Sequence, residues 1–306
     1  MVYNFLFHRV SPTREPLWDP MDLALFDKCI KHISKKFKVV LAEDYYLSNP
    51  KPTSNRKIAT IMFDDGYKDN IEFAAPILKK YNCKASFYVV TNCIDVNEPT
   101  WTQVLENQFL HTKNTKLDIQ FDFLPNELHI ENVNSLEDKK AYVSKLKPIL
   151  KNINHEERAL VLNQIAQIFN DVKAPKVMMS WDDIRALAKE GHYIGSHTVT
   201  HPALSTVDNI DTLKYELSHS AERIQTELGY FPLSISYPVG SFNETTKKVS
   251  KDIGYKIGLA VNQKIHNPKI EDIFEISRLE LYNESWFKTK LRINDSLEKI
   301  KRLIRF

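Results

Sequence analysis

Short apolar runs and stretches of helical periodicity alternate along this chain. Residues 2–7, 58–63, 85–90, 193–196, 233–237, 256–261 and 276–282 are β-branched or aromatic runs of strand length. Between them the apolar positions take helical spacing, as over 212–228, where Leu213, Leu217, Ala221, Ile224 and Leu228 share one face. Such alternation predicts βα units around a parallel sheet, and seven strands with intervening helices predict a barrel. One segment breaks the rhythm. Residues 95–177 are far longer than an ordinary βα connection. Within them Leu117, Ile119, Phe121 and Phe123 alternate before Pro125-Asn126, which suggests a hairpin, and helices are expected near 136–150 and 155–169. The insertion can be read as flank packing or as a substrate wall. Ser180-Trp181-Asp182-Asp183 has the form of a capped helix start that restores the pattern.

Composition narrows the classes. A chain of 306 residues, 42% hydrophobic, can bury one large core, so a single catalytic domain over 1–306 is expected, with the insertion at about 95–177. The formal charge of +3 is too small for a surface that tracks nucleic acid. Cys29, Cys83 and Cys93 have neither CxxC nor zinc-finger spacing, which argues against a disulfide framework and for a reducing compartment. The first residues lack a basic region before their apolar run and a cleavage site after it, and no stretch approaches the ~18 apolar residues of a membrane span. The expectation is a cytoplasmic protein.

Two motifs carry chemistry. Ile61-Met62-Phe63-Asp64-Asp65-Gly66-Tyr67 is an apolar strand that ends in two carboxylates and a glycine, and the carboxyl end of a strand in a β/α fold faces the ligand crevice. Alone, Asp-Asp-Gly is as readily a turn. The second motif, His197-Thr198-Val199-Thr200-His201, follows another short strand. Two imidazoles and one carboxylate suit zinc and leave positions open for water and substrate. An isolated His-x3-His is usually incidental, but at the same barrel mouth as a carboxylate doublet it reads as a metal site.

These residues resemble the polysaccharide deacetylases of the NodB-homology, carbohydrate esterase 4 type. Met62-Phe63-Asp64-Asp65-Gly66 matches the family's Thr-Phe-Asp-Asp-Gly with Met for Thr, and His197 to His201 matches its His-Ser/Thr-x-x-His in full. The resemblance implies a distorted (β/α)7 barrel carrying a long, mostly helical insertion. It implies Asp64 as general base and Asp65, His197 and His201 as ligands of a divalent ion, Zn2+ first, with Ni2+ or Co2+ as alternatives. The third motif, Arg-x-Pro-Tyr-Gly, stands as Ser236-Tyr237-Pro238-Val239-Gly240, without its arginine and tyrosine. The backbone N–H of Val239 can still serve an oxyanion. Arg278, on a later strand, is the candidate replacement for the arginine, and Tyr237, Val239 and Arg278 are the expected substrate-side residues. The family's Leu-x-His is missing near the C-terminus, where Ser277-Arg278-Leu279-Glu280-Leu281 stands, but Leu6-Phe7-His8 supplies it at the other end. That order resembles circularly permuted members acting on poly-N-acetylglucosamine, and makes His8 the general acid.

What the resemblance implies is hydrolysis of an N-acetyl, less readily an O-acetyl, group on an amino-sugar glycan or glycoconjugate. The substrate would be an oligosaccharide or a lipid-linked or nucleotide-linked intermediate of envelope or capsule synthesis. A non-catalytic glycan-binding relative and a metal amidohydrolase of small non-sugar amides are the rival classes. Near the end, Ile293, Leu297, Ile300 and Ile304 form a stripe beside Lys299, Lys301, Arg302 and Arg305, a basic amphipathic pattern that could rest on the inner membrane face or pack on the barrel.

Overall fold

Every strand marked by the apolar pattern is present, and all run parallel. The computed structural model describes residues 1–48 and 56–295. In chain order the elements are β1 (Val2–Phe7), α1 (Leu23–Lys36), β2 (Lys38–Val39), α2 (Ala42–Ser48), β3 (Ile58–Phe63), α3 (Ala75–Lys80), β4 (Ser86–Val89), α4 (Thr91–Val96) and α5 (Trp101–His111). There follow β5 (Lys116–Asp118), β6 (Ile130–Asn132), α6 (Leu136–Asn152), α7 (His155–Ile168), α8 (Trp181–Lys189), β7 (Tyr193–Ser196) and α9 (Ile210–Leu228). The chain then forms β8 (Ser234–Ser236), α10 (Glu244–Ile253), β9 (Ile257–Leu259), β10 (Leu279–Glu280) and α11 (Trp286–Ile293).

The sheet runs β10-β1-β3-β4-β7-β8-β9, with β2 paired to the start of β3. A parallel bridge between Leu259 and Ile276, three residues before β10, joins the far edge back to the near one. The ring is a distorted barrel because its closing seam is short: β9 meets the segment leading into β10 through the isolated Leu259–Ile276 bridge, and β10 itself pairs with β1 only at Phe5–Leu279 and Leu6–Glu280. Helices cover the outside, so strands such as β1 are buried on both faces and read as continuous apolar runs.

Side-chain alternation sorts these strands into two faces. Phe5, Phe7, Ile61, Phe63 and Phe87 join the outer core with Phe26, Ile30 and Ile33 of α1. Leu6, Met62, Tyr88, Ile257, Leu259 and Ile276 form a smaller cluster contributed by five sides of the ring, which is the barrel interior. Two residues beyond Leu6 is His8, two beyond Met62 is Asp64, and two and four beyond Ile276 are Arg278 and Glu280. The same period that packs the interior therefore aims four polar side chains at the mouth.

The insertion has a core of its own, in which Leu105 and Phe109 of α5 meet Leu117, Leu146, Leu150, Val161 and Ile165. The expected hairpin exists as the antiparallel pair β5–β6, but Pro125-Asn126 is part of a longer connection with a 3-10 turn at Asn126–Leu128. Helices α6 and α7 lie where the pattern put them. Helix α8 begins at the Ser180–Asp183 capping box. Ile293 is buried at the end of α11, while Leu297, Ile300, Ile304 and the basic residues beside them lie outside the described residues. Among the described residues no helix is long and apolar enough to cross a membrane.

Candidate active site

The strand β3 ends in a turn that L residues seldom adopt. Asp65 has φ 75° and Gly66 has φ 92°, with the Gly66 N–H donating to the Asp64 carbonyl at 3.0 Å. Gly66 is required by its left-handed conformation, and a Cβ there would also press on Ile94 Cδ1 at 3.0 Å. The turn leaves Asp64 and Asp65 side by side at the mouth, 2% and 4% exposed.

The two histidines sit on an equally constrained loop after β7. The His197 N–H donates to the Val89 carbonyl at 2.9 Å, tying the loop to the end of β4. Glu216 of α9 accepts the N–H groups of Val199 and Thr200, each at 2.9 Å, and the Thr200 hydroxyl at 2.5 Å. From the insertion, Trp101 Nε1 donates to the His201 carbonyl at 3.1 Å. Thr198, His201 and Val239 have positive φ as well as Asp65, so four of the eight such non-glycine residues described cluster here. Strained backbone concentrates where the surroundings hold a functional geometry in place.

Asp65 Oδ1 lies 3.5 Å from His197 Nε2 and 3.4 Å from His201 Nε2, and ligand atoms of all three fall within 4.8 Å of one another. These separations exceed a good hydrogen bond. They match the edge of a tetrahedron around an ion with ligands at ~2.0–2.1 Å, about 3.3 Å. Asp65 Oδ1 is buried and has no hydrogen-bond partner among the described residues. His197 Nδ1 meets the Ser236 carbonyl at 2.7 Å, which orients Nε2 toward the centre, as partners of ligand imidazoles do. Burial pushes His201 down to about 3, and a neutral imidazole is what a cation needs. The residues therefore fit a divalent metal ion.

Asp64 is held beside this centre, its Oδ2 3.9 Å from His197 Nε2. Arg278 donates from both terminal nitrogens, at 2.8 Å to Oδ1 and 2.9 Å to Oδ2, and the Ser236 hydroxyl donates to Oδ2 at 3.0 Å. Burial opposes ionisation of Asp64. The charge of Arg278, then that of His197, overrides it and holds the carboxyl below its usual range.

Arg278 and Tyr237 differ from their expected places. The Arg278 guanidinium is fully buried, grips the Asp64 carboxylate and does not line the cleft. Tyr237 follows Ser236 on β8, so alternation turns its ring outward. It is buried, stacks on Phe242 at 4.9 Å and does not line the cleft. Val239 does line it, in a left-handed conformation, with His8, Trp18, Asp64, Asp65, His197 and His201. His8 reaches the cleft from the end of β1 and sets Nδ1 3.3 Å from Glu280 Oε1.

The sequence reading missed Glu280, Ser236 as a donor, Glu216, Trp18, and the insertion's Thr102, Lys147 and Lys151, all three of which line the cleft. Glu280 was within reach of the alternation rule, standing two residues after Arg278. The lysines were not, because no periodicity shows which face of an inserted helix meets the barrel.

The model of the polysaccharide deacetylase family matches residues 51–258. Among curated proteins, YxkH of Bacillus subtilis (strain 168), a candidate polysaccharide deacetylase, is 21% identical over 74% of this chain and 50% of its own length. The chain spans half or less of the curated relatives it matches. Among solved structures, Streptococcus pyogenes deacetylase PplD, solved with acetate, superposes with a TM-score of 0.61 at 17% identity over 92% of this chain and 93% of that one. IcaB from Ammonifex degensii gives 0.61 at 15% over 95% and 96%, and a de-N-acetylase from Aggregatibacter actinomycetemcomitans gives 0.59 at 20% over 95% and 99%. These similarities establish the shared fold.

Proposed function

The chain belongs to the polysaccharide deacetylase family, and from that premise we propose that it is a metal-dependent hydrolase removing N-acetyl groups from an amino-sugar glycan or glycoconjugate. The observation that carries the reading is the convergence of Asp65, His197 and His201 within 4.8 Å, beside a carboxylate that Arg278 keeps ionised. Residues 1–306 are taken as one catalytic domain with the 95–177 insertion as part of its cleft.

Asp65, His197 and His201 would hold the ion, Zn2+ by donor set, with Ni2+ or Co2+ as alternatives. When bound, such an ion polarises a carbonyl and lowers the pKa of water toward about 7. Asp64 takes the proton of the attacking water, and its bidentate hold by Arg278 fixes the accepting oxygens. Val239 is assigned the oxyanion N–H, a donor whose loss typically costs ~2.7–4 kcal/mol of barrier. His8 gives a proton to the departing amine, which leaves poorly without one. Glu280, against His8 Nδ1, leaves Nε2 as the donating nitrogen. The substrate is read as an oligosaccharide or a lipid-linked or nucleotide-linked intermediate of envelope or capsule synthesis. Cytoplasmic location is part of the proposal, supported by Cys29, Cys83 and Cys93 being free and buried.

Metal analysis combined with acetate release from chito-oligosaccharides, peptidoglycan fragments and nucleotide-linked amino sugars tests this reading. Asp64→Asn should keep the ion and lose turnover, while His197→Ala should lose both. Full metal in the second variant would contradict the ligand set. His8→Ala should impair amide cleavage and spare activated acetyl esters, and equal loss on both would remove its role as acid.

A further inference from the structure

Two lysines enter the cleft from the insertion, and the mechanism above uses neither. Lys147 and Lys151 stand one turn apart on α6 and line the cleft together with Asp64, Asp65, His197, His201 and Glu280. Lys147 is engaged by the buried Glu106 of α5. Lys151 is half-buried, and its ammonium makes no hydrogen bond or ion pair with any described residue. Burial, then the like charge of Lys147, lowers its pKa against the pull of Glu280, Glu106 and Asp65.

The other negative groups are engaged elsewhere, and Asp65 is assigned to the metal. Asp64 is bound by Arg278. Glu280 accepts from the Tyr282 hydroxyl at 2.6 Å and from Gln263 at 3.3 Å, with His8 against its other oxygen. Glu106 holds Lys147, and Asp65 is a candidate metal ligand. A partly desolvated ammonium without a counter-charge is unfavourable. Substrate is the component of the cleft that can supply one.

We propose that Lys151 is the anion-recognising residue of the substrate site, selecting an acetylated amino sugar that bears an anionic oxygen group, phosphate ester or carboxylate, on the reacting sugar or its neighbour. The inference rests on the deacetylase reading for the sugar, and on the cleft's charges for the anion. Lys147 is committed to Glu106, which leaves Lys151 as the ammonium available to the substrate.

Calorimetric titration of the zinc-loaded Asp64→Asn protein separates the two claims, because it reads binding without turnover. The probes are N-acetylglucosamine, N-acetylglucosamine 1-phosphate and N-acetylmuramic acid, whose lactyl carboxylate supplies the second kind of anion. At least one anionic probe should bind about tenfold tighter than the neutral sugar, with a preference that fades in high salt. The tighter of the two identifies the source. Adding Lys151→Met should erase the preference, Lys151→Arg should retain it, and thermal unfolding should confirm that both fold. A preference that survives Lys151→Met, as direct anion binding to zinc would produce, overturns the inference, as does equal binding of all three probes. Acetate release is then measured on the same probes with Asp64 intact. Loss of the anion's advantage in KM with kcat kept supports the role. Release from none of these, nor from the chito-oligosaccharides, peptidoglycan fragments and nucleotide-linked sugars above, with the binding preference intact, would remove the deacetylase reading and leave the anion site standing.

Discussion

Arg278 and Asp64 meet with every side-chain nitrogen of the arginine engaged, since Nε donates to the Ala260 carbonyl at 3.0 Å and one terminal nitrogen also reaches the Ser236 hydroxyl at 2.8 Å. Removing one member of a buried pair typically costs ~3–5 kcal/mol because the other charge is stranded. Arg278→Met should therefore lower stability by about that amount, as read from urea midpoints. It should also leave Asp64 under the influence of burial, which raises its pKa, so the acid limb of kcat/KM should move to higher pH. Arg278→Lys keeps the charge but loses the bidentate hold, and should restore part of the shift. An unmoved acid limb in Arg278→Met would show that Asp64 is not the base whose titration limits the rate.

Elements matter through what they hold still. Glu216 belongs to α9, yet its work is done on the loop between His197 and His201, where it satisfies two backbone N–H groups and one hydroxyl. Glu216→Ala strands those donors, at ~1–3 kcal/mol for each that stays dry, and frees both imidazoles. Metal affinity, measured by chelator competition, should fall about 10–100-fold, the usual penalty for losing outer support of ligands. The same logic applies to α6. Leu146 is buried in the insertion's own core. Leu146→Ala should cost ~2–5 kcal/mol and, by loosening the wall that carries Lys147 and Lys151, raise KM more than it lowers kcat. An equal fall in both parameters would mean that the insertion shapes the metal centre itself.

For the whole molecule, part of the acid sensitivity comes from a histidine remote from the site, in addition to His201. His192, before β7, is buried, its Nδ1 accepts the Ala85 N–H at 3.1 Å, and its ring packs edge-on to Phe87 at 5.3 Å. Burial, then the charge of Lys84, pushes its pKa down to about 4 from an ordinary 6.5. Between these values the unfolded chain binds the proton and the folded one does not, so stability is full above 6.5 and declines as pH falls toward 4. The loss should approach roughly 3 kcal/mol. His192→Gln, which keeps an acceptor but cannot titrate, should flatten the slope of unfolding free energy over that window, and an unchanged slope would place the acid-labile group elsewhere.

Alternation and helical spacing, read along the chain, determined the seven strands, α6, α7 and α9, and the two motifs of the site, because a 2.0 or 3.6 period is a local property that survives without neighbours. Asp64, Asp65 and His197 were legible because they directly follow strands whose ends meet at one mouth in this fold class, His201 by its spacing from His197, and His8 through the resemblance to the family's Leu-x-His motif. Which partners these residues find was decided by closure of the barrel. Arg278 reaches Asp64 across 214 positions of sequence, Glu280 reaches His8 from the opposite end of the chain, and Tyr237 turns outward where its motif suggested a substrate contact. The lysines of α6 were settled only by how the insertion docks, since one face of an amphipathic helix is defined by what packs on the other, and that is a fact of tertiary structure.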